Sequence, residues 1–115
     1  MGKPGAMLSE ILKHLTKKPN TVLYPYERLK IPEKFRGKIA FHQEKCNSCT
    51  LCFRACPAKA IEMVKRNEGE KPKPIFMLDR CLFCAQCEEV CPADAIELTK
   101  EFELAGYDRK EMVVR

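Results

Sequence analysis

Hydrophobic positions near the start of the chain have helical spacing. Leu8, Ile11, Leu12 and Leu15 follow the i, i+3, i+4, i+7 pattern of one helical face, and basic residues lie beside them. Pro19 is expected to stop this helix. The pattern predicts a short amphipathic helix, whose apolar face packs on its own domain, on a partner subunit or on a lipid surface.

The following stretch, "TVLYPYERLKIPEKFRG", shows no sustained helical or strand period. Pro25 and Pro32 interrupt it, so we predict an extended arm laid over a neighbour. Tyr24, Tyr26 and Phe35 are candidate anchors of an interface on this arm. Packing of these aromatic residues on the domain's own core is an equal alternative.

The rest of the chain contains one pattern twice, at a constant offset of 35 residues. "CNSCTLCFRACPAKAIEM" aligns with "CLFCAQCEEVCPADAIEL" without a gap, and Phe41 upstream aligns with Phe76. Such an offset indicates two copies of one supersecondary unit, each with a strand, a tight cysteine loop, one helical turn, a proline and a second strand. Small residues let the two halves approach and two isoleucines take equivalent core positions: Ala58, Ala60, Ala93, Ala95, Ile61 and Ile96.

The cysteine spacing within each copy changes after the third cysteine. Three thiolates spaced C-x2-C-x2-C fit on one loop that wraps a compact 4Fe-4S cluster. The fourth lies four residues further on, before a proline that favours extended backbone. In two-cluster proteins with this run the fourth cysteine ligates the other cluster. The rule predicts two 4Fe-4S clusters, one bound by Cys46, Cys49, Cys52 and Cys91, the other by Cys81, Cys84, Cys87 and Cys56.

Other uses of eight cysteines fit the pattern less well. Zinc sites usually combine C-x2-C pairs or add histidines, whereas each run here has four cysteines, and His14 and His42 lie outside both runs. Disulfides require an oxidising compartment, and the first residues show neither a signal peptide nor a membrane-spanning segment, so a reducing cytoplasm is expected. A third alternative keeps both clusters but gives them a structural role.

The sequence offers no catalytic residues. It contains no nucleophile paired with a base, no glycine-rich dinucleotide motif and no P-loop. Because four cysteines fully occupy each predicted cluster, no iron is left open to a substrate. We therefore predict one-electron transfer by a non-catalytic subunit of an oxidoreductase.

Charge is unevenly distributed along the chain. Residues 1–45 carry ten Lys or Arg and four Glu, a net charge of +6, whereas the remainder carries −1. This asymmetry is typical of a docking surface, although lysines that merely solvate a small protein are the simpler interpretation. Binding of nucleic acid is not expected, since the aromatic residues of this basic segment form no obvious stacking platform.

These patterns together predict an α+β, bacterial-type two-cluster ferredoxin-like fold with an N-terminal amphipathic helix and an extended arm. Two two-stranded sheets and two short helices surround the clusters, with segment 60–64 paired to 75–78 across the loop "KRNEGEKPKP", and segment 39–43 beside 95–99. "DRKEMV" is expected to form one helical turn. The predicted organisation is a helix and docking arm at 1–38, a two-cluster domain at 39–100 and a tail at 101–115.

The arm "TVLYPYERLKIPEKFRGK", the two cysteine runs and the tail "EFELAGYDR" resemble the 23-kDa iron-sulfur subunit family of respiratory complex I. The likeness is strongest to the short form in membrane-bound nickel-iron hydrogenases and related ferredoxin-dependent complexes. The cysteine runs alone indicate only a ferredoxin, whereas the arm makes the match specific through Tyr24, Pro25, Phe35, Arg36 and Gly37. The lack of a long insertion favours a hydrogenase-type or sulfur-reducing complex.

The resemblance implies a peripheral subunit on the cytoplasmic side of the membrane, whose N-terminal helix lies near the lipid surface. It also implies that electrons, supplied by ferredoxin, pass through both clusters to a small iron-sulfur subunit beside a large hydrogenase-like subunit. Thr50 and Ala85 depart from the family, because relatives often have glycine there. A free soluble ferredoxin and an iron-sulfur subunit of a 2-oxoacid:ferredoxin oxidoreductase remain alternatives.

Overall fold

A computed structural model describes residues 5–65, 68–69 and 71–115. The chain divides into two compact units, the first ending at Lys30 and the second running from Ile31 to Arg115. All eight cysteines belong to the second unit.

The first unit contains the predicted N-terminal helix, α1, at Leu8–Leu15. The helix ends before Pro19, as expected, and Glu10 pairs on its polar side with Lys13 at 3.4 Å and His14 at 3.5 Å. The four apolar side chains of the predicted face are each more than half exposed. In the described part of the chain, no helix is long and apolar enough to cross a membrane.

The second unit builds two antiparallel sheets from the repeat. Strand β1 at Ile39–Phe41 pairs with β4 at Ile96–Leu98, and β2 at Ile61–Val64 pairs with β3 at Lys73–Met77. Both predicted pairings and the α+β class are confirmed. The loop between β2 and β3 is shorter than the predicted "KRNEGEKPKP", because β3 already begins at Lys73. Residues 66, 67 and 70 of that loop lie outside the described residues.

Two short helices follow the cysteine loops, as predicted, and pack on each other. They are α2 at Leu51–Ala55 and α3 at Gln86–Glu89. The buried core between helices and sheets is small, and two pairs of equivalent residues, Ala60 with Ala95 and Ile61 with Ile96, belong to it. Ile39, Phe76 and Leu78 complete the core of the described residues, but their equivalents in the repeat are not part of it, so the repeat supplies the core only in part symmetrically.

The expectation of two two-stranded sheets is wrong for the second sheet. Strand β5 at Val113–Val114 pairs with β3 and gives that sheet three strands. The turn predicted in "DRKEMV" is a 3-10 helix at Arg109–Met112, which directs the chain into β5. A two-residue strand has too few positions to show a period of two, so only its packing on β3 defines it.

The arm joins the domain through Gly37. The amide of Gly37 donates to Thr99 O at 2.8 Å, the amide of Thr99 donates to Lys38 O at 2.9 Å, and the amide of Lys38 donates to Glu101 O at 2.8 Å. A methyl group on residue 37 would lie 2.7 Å from Thr99 O and closer still to Glu101 O. Only glycine lets these two backbones approach so closely.

The cysteine loops repeat their backbone conformation as well as their sequence. Among the described residues, six other than glycine have positive φ angles between 46° and 67°, in three pairs 35 residues apart: Ser48 with Phe83, Thr50 with Ala85, and Lys59 with Asp94. Residues with a Cβ are disfavoured in this left-handed region by about 1–2 kcal/mol. At Thr50 and Ala85, with φ of 64° and 67°, glycine would therefore adopt the same backbone conformation without this steric cost.

We expect Gly37→Ala to destabilise the protein by about 1–3 kcal/mol, because the added methyl group pushes apart two hydrogen-bonded backbones. Thermal unfolding of the cluster-loaded protein without oxygen, followed by visible absorbance, measures the effect. Gly106→Ala is the matched control, because its methyl group meets only the side chains of Glu111 and Met112, at 3.4 and 3.7 Å. Equal melting temperatures for the two variants would contradict the prediction.

Thr50→Gly should stabilise the loop by roughly 1 kcal/mol, because glycine adopts a positive φ without the steric penalty of a β-branched residue. The same thermal unfolding experiment gives the result as a raised melting temperature. Thr50→Ala removes the same hydroxyl but keeps a Cβ, so it should recover less than half of the gain. If the alanine variant gains as much as the glycine variant, the backbone angle is not the cause.

Candidate metal centre

The eight cysteines line two cavities in the second unit. One cavity encloses about 340 Å³, including space open to solvent, and is lined by Cys46, Cys49, Cys52 and Cys91. The other encloses about 420 Å³ on the same measure and is lined by Cys56, Cys81, Cys84 and Cys87. The fold thus places three cysteines of one copy of the repeat beside the fourth cysteine of the other copy. We call these groups the first set and the second set.

Local backbone geometry directs the fourth cysteine of each copy away from its own loop. Cys56 follows α2 with extended backbone angles, φ −70° and ψ 112°, immediately before Pro57. Its Sγ accepts a hydrogen bond from the amide of Ala60 at 3.3 Å, and Cys91 Sγ accepts one from the amide of Ala95 at 3.4 Å. Each bond ties the thiol to the start of the next strand, on the same side of the domain as the opposite loop.

The remaining hydrogen bonds distinguish the two loops. In the second loop the amide of Phe83 donates to Cys81 Sγ at 3.3 Å. In the first loop the amide of Cys49 donates to the side-chain oxygen of Asn47 at 3.2 Å. Position 47 corresponds to Leu82 in the repeat, and leucine has no acceptor for such a bond. The two cavities are therefore alike in their cysteines but differ in their polar surroundings.

Burial keeps the inner thiols protonated in the cluster-free chain. It raises the pKa of Cys52 to about 11, only partly offset by an amide hydrogen bond from Phe53, and neighbouring Cys49, Cys46 and Cys91 raise it further. Cys91 therefore lies close to Cys52, although the two cysteines come from different copies of the repeat. Because iron binds the thiolate, loading a cluster must displace these protons.

The second set shows the same effects. Burial raises the pKa of Cys87 to about 12, with further repulsion from Cys81 and from Cys52 of the first set. Burial also raises the pKa of Cys81, which additionally senses Cys56 and Cys84. Cys52 lies in α2 and Cys87 in α3, and because these helices pack on each other, the two cavities are close neighbours.

The sulfur arrangement suits a cluster better than a single ion. A zinc ion needs four ligand atoms about 2.0–2.3 Å from one point. Among the described residues, no three His, Cys, Asp or Glu side chains converge on such a point. In a 4Fe-4S cluster each thiolate binds a different iron, so the four sulfurs surround the group instead of meeting at one atom. None of the eight cysteines forms a disulfide.

His42 lies near the loops but faces carboxylates. Its Nδ1 is 3.6 Å from Glu44 Oε1 and its Nε2 is 4.0 Å from Glu97 Oε2. It is not among the residues that line either cavity. The position of His42 therefore gives it no part in the two cysteine sets.

One residue beside the site was not recognised from the sequence as part of it. Arg36 Nη1 donates to Cys84 O at 3.2 Å, which places a guanidinium group on the second loop. The sequence assigned Arg36 to a docking arm, and no spacing rule relates it to a cysteine 48 positions away. Only the tertiary structure brings the two residues together.

Comparison with known proteins supports the metal chemistry. Residues 25–95 match the family model described as "4Fe-4S dicluster domain". NAD(P)H-quinone oxidoreductase subunit I of Leptolyngbya boryana is 47% identical over 53 residues, which is 46% of this chain and 27% of that protein. The same subunit of Gloeobacter violaceus is also 47% identical over 53 residues, 25% of its length. The chain thus spans about a quarter of the curated relatives it matches.

A solved structure extends the likeness to almost the whole chain. It is described as the membrane-bound sulfane sulfur reductase, an archaeal respiratory membrane complex, and its matching chain is 35% identical with a TM-score of 0.69. The match covers 97% of this chain and 58% of the other. The resemblance to complex I-type iron-sulfur subunits is therefore confirmed, and the residues present fit two 4Fe-4S clusters. The chain belongs to the 4Fe-4S dicluster domain family and binds two 4Fe-4S clusters.

Proposed function

We propose that this chain is an electron-transfer subunit of a membrane-bound respiratory complex. The observation that carries the proposal is the pair of neighbouring cavities, each lined by four cysteines contributed by both copies of the repeat. In this proposal the first set binds one cluster, the second set binds the other, and electrons pass between them. The fold is that of a bacterial-type two-cluster ferredoxin, preceded by a helix and an arm.

The cysteine loops and strands leave the protein little other chemistry to perform. Four thiolates per cluster satisfy every iron, so the protein's residues fix the clusters in place, exclude water and supply hydrogen bonds to sulfur. The amides of Ala60, Phe83 and Ala95 provide such bonds. One-electron transfer is the chemistry that the bound groups add, and catalysis belongs to another subunit.

Residues 1–38 are proposed as the docking segment, ahead of the two-cluster domain at 39–100 and the tail at 101–115. The exposed apolar face of α1 and the side chain of Tyr26, 93% exposed, support a contact with another subunit or with the lipid surface. Phe35 is different, because its ring packs edge-on against Phe102 with centroids 6.2 Å apart. Phe35 therefore helps to fix the arm on its own domain.

The partners are proposed from the similar proteins. Those are subunits of a quinone oxidoreductase and of a membrane-bound sulfane sulfur reductase, which supports membership of such an assembly. A peripheral position on its cytoplasmic side is part of the proposal. Ferredoxin is the proposed donor, and a neighbouring small iron-sulfur subunit is the proposed acceptor. A large hydrogenase-like subunit completes the proposed complex.

Isolation of the native protein from solubilised membranes without oxygen tests this function. We expect it to travel with other oxidoreductase subunits, and the nickel content of the assembly separates a hydrogenase from a sulfur-reducing or quinone-reducing complex. If the chain instead remains soluble, without other subunits and with eight irons, the proposal is wrong and the protein is a free ferredoxin. Copurification with a thiamine-dependent catalytic subunit would instead identify a 2-oxoacid:ferredoxin oxidoreductase.

The crossed ligand sets give a second prediction. If Cys56 serves the second set, Cys56→Ala should alter the same electron paramagnetic resonance signal as Cys84→Ala and leave the other cluster unchanged. By the same reasoning, Cys91→Ala should match Cys49→Ala, because both residues then bind the first cluster. The spectra of the reduced protein are compared between the four variants.

The matched pairs make the outcome independent of any prior assignment of the signals. An uncrossed arrangement would make Cys56→Ala resemble Cys49→Ala instead. Loss of both signals in every variant would show that neither cluster forms without the other, and would contradict independent ligand sets.

A further inference from the structure

The repeat duplicates most of the surroundings of the two clusters, although Asn47 of the first loop is replaced by Leu82 in the second. Each copy of the repeat has four cysteines and the same three left-handed positions. In each copy a backbone amide donates a hydrogen bond to the sulfur of the fourth cysteine, at 3.3 Å to Cys56 and 3.4 Å to Cys91. Such symmetry by itself gives two clusters similar reduction potentials, since ligand type and hydrogen bonding to sulfur set much of the potential. A large difference must come from residues that the repeat does not duplicate.

Arg36 is such a residue. It lies before β1, outside the duplicated pattern that begins at Phe41 and Phe76. Its Nη1 donates to Cys84 O at 3.2 Å, so the guanidinium charge lies on a ligand residue of the second set. The adjoining bond from the amide of Gly37 to Thr99 O, 2.8 Å long, fixes the backbone that carries this side chain.

The first loop has a different arrangement at the equivalent place. The residue 35 positions after Arg36 is Lys71, an exposed residue before β3. Nearby, Lys73 Nζ donates to Gln43 O at 2.8 Å, three residues before the first cysteine of that loop. The lysine thus contacts the approach to the first loop, whereas the arginine contacts a cysteine of the second loop itself.

We infer that Arg36 is a positioning residue that raises the reduction potential of the cluster held by Cys56, Cys81, Cys84 and Cys87, and so makes the two clusters unequal. This inference rests on the proposed electron-transfer function. Each cluster becomes more negative by one charge when it accepts an electron, and a fixed positive charge stabilises the reduced form more than the oxidised form. Arg36 therefore biases an electron shared by the pair toward the second set.

The expected effect is moderate, because Arg36 is an exposed residue and solvent screens its charge. Removing the charge should lower the ratio of reduced to oxidised second cluster about three- to tenfold at a fixed solution potential. The first cluster should keep its ratio. The difference should also shrink at high ionic strength, where screening is stronger.

The experiment is a redox titration of the intact, cluster-loaded protein with the subunits that accompany it, monitored by electron paramagnetic resonance. Arg36→Gln removes the charge but keeps a hydrogen-bond donor, and Arg36→Lys keeps the charge. The two signals are assigned with the Cys84→Ala and Cys49→Ala variants. We expect Arg36→Gln to shift only the signal of the second cluster, and Arg36→Lys to restore most of the wild-type potential.

Lys38→Gln is the matched control. It removes one positive charge from the same segment, but that charge contacts Glu101 Oε1, at 3.5 Å, and not a residue of a cysteine loop. It should shift both potentials less than Arg36→Gln shifts that of the second cluster. Equal shifts of both reduction potentials in Arg36→Gln, or no shift of either, would overturn the inference. So would a shift of the second cluster's potential that Arg36→Lys also shows and that high salt does not reduce.

The proposed function and this inference fail in different ways. If the wild-type protein shows no reversible one-electron reduction of its clusters, the electron-transfer function fails, and the inference with it. If both clusters titrate reversibly but Arg36→Gln leaves the second cluster unchanged, only the role of Arg36 is rejected. If Arg36→Gln does not retain its clusters, two measurements still test the role of the charge. A wild-type potential in Arg36→Lys and a potential difference that shrinks at high salt support it, and the opposite results reject it.

Discussion

The structure depends on one steric constraint: a tight cysteine loop presents three thiols to a compact cavity, and the fourth must come from elsewhere. Pro57 and the extended backbone at Cys56 turn that cysteine away from its own loop. Hydrogen bonds from the amides of Ala60 and Ala95 then hold the sulfurs of Cys56 and Cys91 at the starts of β2 and β4. Each half of the domain therefore completes the cavity of the other half.

This constraint explains how so small a core suffices. In the part of the chain that the structure describes, few hydrophobic side chains are buried, and Phe76 is the largest that is fully buried. A domain of this size buries a modest share of its surface. In the proposed ligation, two clusters that are each bound by cysteines of both halves would act as internal cross-links that the unfolded chain lacks, so metal binding would contribute directly to folding. The buried alanines are part of the same solution, because larger side chains would keep the cysteine loops apart.

Residues that the repeat does not duplicate make its two halves different. The arm is hydrogen-bonded to the segment after β4 through Gly37, and the chain terminus adds β5 to one sheet only. Arg36 reaches the second loop, while Asn47 takes an amide of the first loop. Because charge and hydrogen bonds around a cluster set its potential, these differences act on the two proposed centres separately.

The sequence alone determined the repeat, the α+β class, the cofactors, α1 and the pairing of the four main strands, because cysteine spacing and hydrophobic period are local properties of the chain. Tertiary structure decided what depends on distant contacts. Strand β5 exists only where Val113 and Val114 meet β3, and Arg36 reaches Cys84 only because Gly37 lets the arm lie against residues 99–101. Neither contact lies within the repeat or follows from a local hydrophobic period, since both arise from the packing of the whole domain.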